Sequence, residues 1–158
     1  MEGGFSKAYL SLGSNLGDRE MLLREAVRLL GDRCGRVVAV SALLETEPVG
    51  FESPHPFLNL ALELDTPLSP EALLRETQAI ERELGRTSKS AGGVYRDRPI
   101  DIDIILYGDL TSDTPELQLP HPRFRERLFV LKPLAEIAGD AVDPFTHKTI
   151  QELLWDAS

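Results

Sequence analysis

Apolar and polar residues recur with clear periods along most of this chain. Ala8, Leu10 and Leu12 alternate with Tyr9, Ser11 and Gly13, which predicts a short strand over 8–12. The turn Gly13-Ser14-Asn15-Leu16-Gly17 follows, and Asp18 is placed to cap a helix reaching about Leu30. Leu22, Leu23, Ala26, Val27 and Leu30 form its apolar stripe, and Gly31 is the expected stop. Residues 36–46, rich in Val and Ala, predict a second strand. A loop with Pro48, Gly50, Pro54 and Pro56 leads to 57–64. There Leu58, Leu60, Leu62 and Leu64 face one way and Phe57, Asn59, Ala61 and Glu63 the other. Ser69-Pro70 pairs a cap with a first-turn proline, opening a helix to about Leu84 striped by Leu73, Thr77, Ile80 and Leu84.

Residues 85–98 carry no period, and a loop of that length inside a compact domain is commonly functional. Period two returns in Arg98-Pro99-Ile100-Asp101-Ile102-Asp103-Ile104-Ile105-Leu106-Tyr107. Pro115, Pro120 and Pro122 mark irregular chain, 124–137 is apolar and partly helical, and 150–155 reads as a closing helix. The order through Tyr107 is β-α-β-β-α-β. This predicts an α+β, ferredoxin-like antiparallel sheet with both helices on one face, plus a C-terminal extension. The Leu and Ile faces then lie beneath the helices. The opposite face collects Ser11, Gly13, Phe57, Asn59, Asp101 and Asp103.

Composition narrows the classes. A chain of 158 residues suggests one domain over 1–158, able to bury roughly 70% of the surface its unfolded form exposes. Cys34 is the only cysteine, so there is no disulfide framework and no cysteine-based zinc site, which fits a reducing cytoplasm. No stretch reaches the length of a membrane span, and the first residues lack the apolar run of a secretory signal. The net charge of −9 opposes bulk attraction to nucleic acid or anionic membrane. Positive charge is nonetheless uneven. Arg82, Arg86, Lys89, Arg96 and Arg98 are close in sequence, as are Arg123, Arg125 and Arg127. These are either solvated arginines or a local cationic pocket.

The aspartates carry the sharpest chemical signal. Asp101 and Asp103 are two residues apart in a strand and share a face opposite Ile100, Ile102, Ile104 and Leu106. Two adjacent carboxylates repel, and a hard divalent cation or an arginine relieves that. The bland alternative is a solvated strand face. There is neither a Walker A pattern nor Gly-x-Gly-x-x-Gly, so bound phosphates would have to rely on arginines and metal. His55, His121 and His147 have no ligand spacing. His121, in Leu119-Pro120-His121-Pro122, reads equally as a structural histidine or a phosphate contact. Phe57 beside Asn59 is either a patch on the sheet or a stacking platform with an amide to read a planar ring's edge.

Taken together, these segments resemble the 6-hydroxymethyl-7,8-dihydropterin pyrophosphokinase family of folate biosynthesis. The resemblance rests on residues 10–17, 45–50 with Phe57-Leu58-Asn59, 78–86, 98–104, Leu119-Pro120-His121-Pro122-Arg123 and 127–134, in that order. It implies a ferredoxin-like enzyme that transfers the terminal diphosphate of ATP to a reduced pterin and releases AMP. Asp101 and Asp103 would bind two Mg²⁺ ions, and Arg86 and Arg98 would act beside the phosphates. His121, Arg127, Leu74, Gln78 and Ile104 fall on the ATP side. Phe57 and Phe129 would sandwich the pterin, with Gly13, Thr46, Asn59, Val49 and Tyr95 around it. Glu81, one turn beyond Gln78, is a further helix position near the site. Tyr95-Arg96-Asp97-Arg98 departs from the family's usual aromatic-Gly-Pro-Arg run, which leaves Lys89 and Arg96 without an assigned partner. The partners implied are the two small-molecule substrates, with no nucleic acid and no membrane. A ferredoxin-like nucleic-acid module is disfavoured by charge and by carboxylates where such modules stack aromatics. A non-catalytic metabolite sensor with the same pocket stays open.

Overall fold

Leu10, Leu12, Leu62 and Leu64 have no exposed surface, and the layout of the fold follows from how they are covered. The computed structural model of the chain describes residues 4–47, 56–85 and 99–158. Strand β1 (Ser6–Ser14) is central. It pairs antiparallel with β4 (Phe57–Thr66) on one side and with β5 (Asp101–Tyr107) on the other. Strands β2 (Arg36–Val40) and β3 (Leu44–Thr46) both lie against the far edge of β4. The sheet order β2-β4-β1-β5, with helices α1 (Arg19–Arg33) and α2 (Pro70–Glu83) between strands, is the expected ferredoxin-like arrangement. Under those helices the Leu and Ile faces of β1, β4 and β5 meet Leu23, Ala26, Leu30, Leu73 and Ile80 in one core. Among the described residues no helix is long and apolar enough to cross a membrane.

The helix starts follow the sequence signals. Asp18 accepts from the Met21 amide, and Ser69 from the Ala72 amide with Pro70 in the first turn. The stop of α1 differs from expectation. Gly31 lies inside the helix, within van der Waals reach of Val37, and the chain turns at Gly35 instead. There φ is 147°, and a Cβ would sit 2.1 Å from the Asp65 carbonyl oxygen, so only glycine fits. The expected single strand over 36–46 is broken at Ser41. Its amide donates to the Ala61 carbonyl and its hydroxyl accepts from the Ala61 amide, which splits the edge into β2 and β3. Cys34 is buried, and burial pushes its thiol up to about 11, so it is an inert core residue.

The second face of the sheet also differs from a simple solvent face. Asn59, Ala61 and Glu63 are buried. The C-terminal extension begins with a two-stranded ribbon, β6 (Ser112–Asp113) with β7 (Gln118–Leu119), whose Leu119 joins the first core, and continues through a 3₁₀ turn (Phe124–Glu126) and helices α3 (Leu128–Ala138) and α4 (Ile150–Ala157), which pack over Ala61. Ala61, Ile105, Leu106, Phe124, Val130, Leu131, Leu134, Ile150 and Leu153 make a second core there; a bulge in the β1–β5 pairing at Tyr9/Leu10 turns Leu106 to this side, against the expected alternation. Its polar fastening is Asp143, which has no exposed surface. Arg125 grips it with Nε at 2.5 Å and Nη2 at 2.9 Å, while the Phe145 amide and the Thr146 hydroxyl donate at 3.0 and 2.8 Å. Burial alone would raise the Asp143 pKa, but these hydrogen bonds and the Arg125 charge outweigh it and hold the pKa below its usual value.

Asp143→Ala is therefore expected to lower stability at neutral pH by about 2–3 kcal/mol, since Arg125 keeps some access to water. The folded-state pKa is depressed, so this stabilisation is complete above about pH 4 and is lost as the pH falls through the folded value. Urea unfolding of both proteins from pH 7 to pH 2 measures it. A gap that persists unchanged in acid would rule the ionised pair out as its source.

Candidate active site

The antiparallel register gathers the polar residues of the second face into rows. Gly13 is opposite Asn59 on β4 and opposite Asp101 on β5, and Leu44 of β3 pairs with Asn59. Leu44, Asn59, Gly13 and Asp101 thus form one row across four strands. In the next row on that face, Ser11 separates Ala61 from Asp103. Asn59 and Asp101 lie two strand spacings apart, about 10 Å between backbones, with only glycine between them. A Cβ on Gly13 would meet Asn59 Oδ1 at 3.0 Å and the Phe57 ring at 3.4 Å. The missing side chain leaves a shallow floor bounded by Phe57, Asn59 and Asp101.

Asn59 is held in one orientation. It is 3% exposed, and its Nδ2 donates to the Leu44 carbonyl at 3.2 Å and to the Thr46 hydroxyl at 2.8 Å. That turns Oδ1, an acceptor, over Gly13. Phe57 is opposite Thr46 and half-buried. Arg19, at the start of α1, donates to the Pro56 carbonyl at 2.9 Å and pairs with Glu45, tying the approaches to β3 and β4 together.

The other wall comes from the C-terminal extension. The His121 amide donates to the Ile105 carbonyl at 3.0 Å, which docks this segment on β5. His121 Nδ1 accepts from the Arg123 amide, so the neutral ring carries its proton on Nε2. Burial foremost, then the Arg127 charge, push its pKa to about 4 against the opposing pull of Asp101. His121 is a neutral donor at pH 7. The Arg127 guanidinium lies 5.6 Å from the centre of the Phe129 ring, and Phe129 sits half-buried in the first turn of α3.

The residues singled out in the sequence are placed as follows. Gly13, Thr46, Phe57, Asn59, Asp101 and Asp103 share the second face of the sheet. His121, Arg127 and Phe129 stand on the extension that covers part of it. On α2, Leu74 is half-buried and Gln78 is exposed, and they share a stripe with the buried Glu81. The Ile104 side chain belongs to the first core, 5% exposed, which leaves its main chain on β5 as the part nearest the site. Val49, Arg86, Lys89, Tyr95, Arg96 and Arg98 lie outside the described residues. The apparent cluster Arg123, Arg125 and Arg127 is divided, because Arg125 is committed to Asp143. Sequence reading missed that pair, whose members are 18 residues apart. It placed Glu81 near the site only by resemblance and missed its hydrogen bond from the Ile102 amide, 21 residues away.

The donor set suits magnesium. Asp101 and Asp103 offer hard carboxylate oxygens on one face, and magnesium takes one or two such ligands with substrate phosphates and water completing its shell. Among the described residues no group of three or more His, Cys, Asp or Glu side chains is gathered for a metal. A planar bicycle on the Gly13 floor, with its edge at Asn59 and its other end at Asp101, also suits the row.

Comparison with known proteins agrees with this geometry. Residues 9–139 match the family model described as 7,8-dihydro-6-hydroxymethylpterin-pyrophosphokinase. The 2-amino-4-hydroxy-6-hydroxymethyldihydropteridine pyrophosphokinase of Porphyromonas gingivalis is 58% identical over 131 residues, 82% of this chain and 89% of that protein. The enzyme of the same name from Bacillus subtilis is 51% identical over 131 residues, 82% of this chain and 77% of that one. A solved Plasmodium falciparum HPPK-DHPS chain shares the fold with a TM-score of 0.77 at 16% identity, over 96% of this chain and 42% of that longer one. With its ferredoxin-like sheet, its aspartate strand and this match across most of its length, the chain belongs to the 7,8-dihydro-6-hydroxymethylpterin pyrophosphokinase family.

Proposed function

We propose that this chain transfers the terminal diphosphate of ATP to the hydroxymethyl group of 6-hydroxymethyl-7,8-dihydropterin, yielding AMP and the pterin diphosphate for folate biosynthesis. The observation that carries this reading is the row Asn59–Gly13–Asp101. It sets an amide acceptor and a carboxylate at opposite ends of a floor with no side chain. The pterin lies on that floor with its edge at Asn59 and Thr46, between Phe57 and Phe129. Val49 and Tyr95 are assigned to the pterin by resemblance to the family alone.

The hydroxymethyl oxygen attacks the β-phosphorus of ATP. The bond from that phosphorus to the α–β bridging oxygen breaks, the hydroxyl proton is lost and AMP departs. Asp101 and Asp103 hold two Mg²⁺ ions, which when bound neutralise phosphate charge and make the attacking hydroxyl more acidic. Arg86 and Arg98 neutralise the transferred group and the departing nucleotide, an electrostatic role in which preorganised donors act where charge develops. Arg127 and Nε2 of the neutral His121 contact the nucleotide from the extension, and Leu74, Gln78 and the Ile104 main chain line its other side. The reading treats 1–158 as one catalytic unit acting in the cytoplasm.

Purified protein given Mg-ATP and 6-hydroxymethyl-7,8-dihydropterin should release AMP in step with pterin diphosphate, as chromatography of the products would show. Chelation of magnesium should stop both. Asp101→Asn should cut kcat by about 100-fold or more while pterin affinity changes less. Absence of AMP with authentic substrate would refute the assignment.

Gly13→Ala tests the floor itself. The new methyl must displace Asn59 Oδ1 or the Phe57 ring, an overpacking cost of about 1–3 kcal/mol. Pterin affinity should weaken by roughly 5- to 150-fold, with ATP affinity altered much less. Calorimetric titration with each substrate measures both. Equal loss for the two would place the pterin elsewhere.

A further inference from the structure

Among the described residues, strand β5 is the edge of the sheet, hydrogen-bonded to β1 on one side only. An edge strand leaves outward amides and carbonyls in need of partners, and nothing in the ladder fixes its outer side. In β5 that side is fastened at two points among the described residues. The Ile105 carbonyl receives the His121 amide, and the Ile102 amide donates to Glu81 Oε2 at 2.7 Å. Ile102 is the residue between Asp101 and Asp103, and its own side chain is buried in the first core.

Glu81 is an uneconomical choice for its place in α2. It is 8% exposed and lies in the last turn of the helix. A buried carboxylate loses hydration, and a negative charge at a helix C-terminus opposes the dipole. Neither helix formation nor core packing calls for an acid here. A charge-assisted bond from the Ile102 amide, shorter than a usual amide–carbonyl bond, is a direct compensation.

Resting on the pyrophosphokinase reading, we infer that Glu81 is a positioning residue for the aspartate pair: its carboxylate clamps the outer edge of β5 at Ile102 and thereby fixes the separation and aim of Asp101 and Asp103. Ile102 is then held from three directions, by the core through its side chain, by β1 through the ladder bonds of the residues on either side of it, and by α2 through Glu81. Residues on either side of so constrained a backbone share one orientation, which two oxygen donors need to act on the same ions. Glu81 does this from the edge and does not act as a third ligand, in keeping with the absence of any three-acid group among the described residues.

The test uses the full chain as wild type, E81A and E81Q. Backbone amide exchange at Ile102, followed by NMR without ligands, reads the clamp. Mg²⁺-dependent AMP release reads its consequence. E81A should speed Ile102 exchange by about 10–100-fold, consistent with loss of a hydrogen bond to a charged acceptor. It should lower kcat by about 10–100-fold and raise the Mg²⁺ concentration for half-maximal rate. The KM for the pterin should stay within about 2-fold, because the pterin floor is untouched. E81Q, whose amide oxygen still accepts, should retain Ile102 protection and most of kcat. If E81A does not fold, E81D replaces it, since its shortened side chain withdraws the carboxylate from the amide. Unchanged Ile102 exchange in the impaired variant would overturn the clamp. So would E81Q as defective as E81A towards Mg²⁺, which would make Glu81 a ligand. An inactive wild type would count against the reaction assigned above, whereas the exchange comparison on ligand-free protein bears on Glu81 alone.

Discussion

The register of β1 against its two neighbours is the constraint on which everything else depends. Because side chains alternate with period two, a shift of one residue would bury Asp101 and Asp103 and expose the leucines of the core. Burial of Leu10 and Leu12 against Leu60, Leu62, Ile102 and Ile104 makes that shift prohibitive. The same pairing puts Gly13 between Asn59 and Asp101. Chemistry and stability are therefore specified by one set of hydrogen bonds, and the apolar face is what holds the polar face in order.

The second face solves a different problem. A sheet face left to water would expose Phe57, Asn59 and the aspartates at once, and a fully covered one would exclude substrates. The C-terminal extension covers the end of the face at Ala61 and Ile105, while Phe57 and Asp101 stay half-buried. His121 and Arg127 come to the rim because Phe124 is fully buried beneath them and Arg125 is gripped by Asp143. The extension thus works as the fourth side of the site, and its packing decides where the rim residues stand.

The elements that declared themselves in the sequence are those whose signal is local. The alternation in 57–64, the caps Asp18 and Ser69, and the Ile/Asp alternation of β5 each follow from side-chain direction or an orphaned amide nearby. From these the ferredoxin-like order and the shared face of Gly13, Asn59 and Asp101 were legible, while their alignment in one row came only with the strand register. What stayed hidden depends on distant partners. Gly31 looked like a helix stop, but Gly35 had to be one because the Asp65 carbonyl approaches it from another strand. Asn59, Ala61 and Glu63 read as outward, and they are outward from the helices of the first core, yet all three are buried, Ala61 beneath α3 from the other end of the chain. The three arginines at 123, 125 and 127 read as one cluster until Asp143 claimed the middle one.

That last division bears on how an acidic chain can take a polyanion. With a net charge of −9, attraction at long range is not available, and salt screens fields beyond about 8 Å in any case. Local arrangement has to decide. Arg24, Arg28, Arg33 and Arg36 are paired with Glu20, Glu25, Asp32, Glu83 and Asp65 on the helical layer and the far edge of the sheet. Those pairs cancel charge where no phosphate is to be bound. On the opposite face two carboxylates stand half-buried on an edge strand, and burial strengthens their mutual repulsion. That repulsion works against the close approach of Asp101 and Asp103 unless a cation or a neighbouring guanidinium relieves it. The rigidity of β5, set by core, ladder and Glu81, is what resists it. On the proposed assignment, magnesium held by this pair would present ATP with a metal-bearing surface in place of an acidic one.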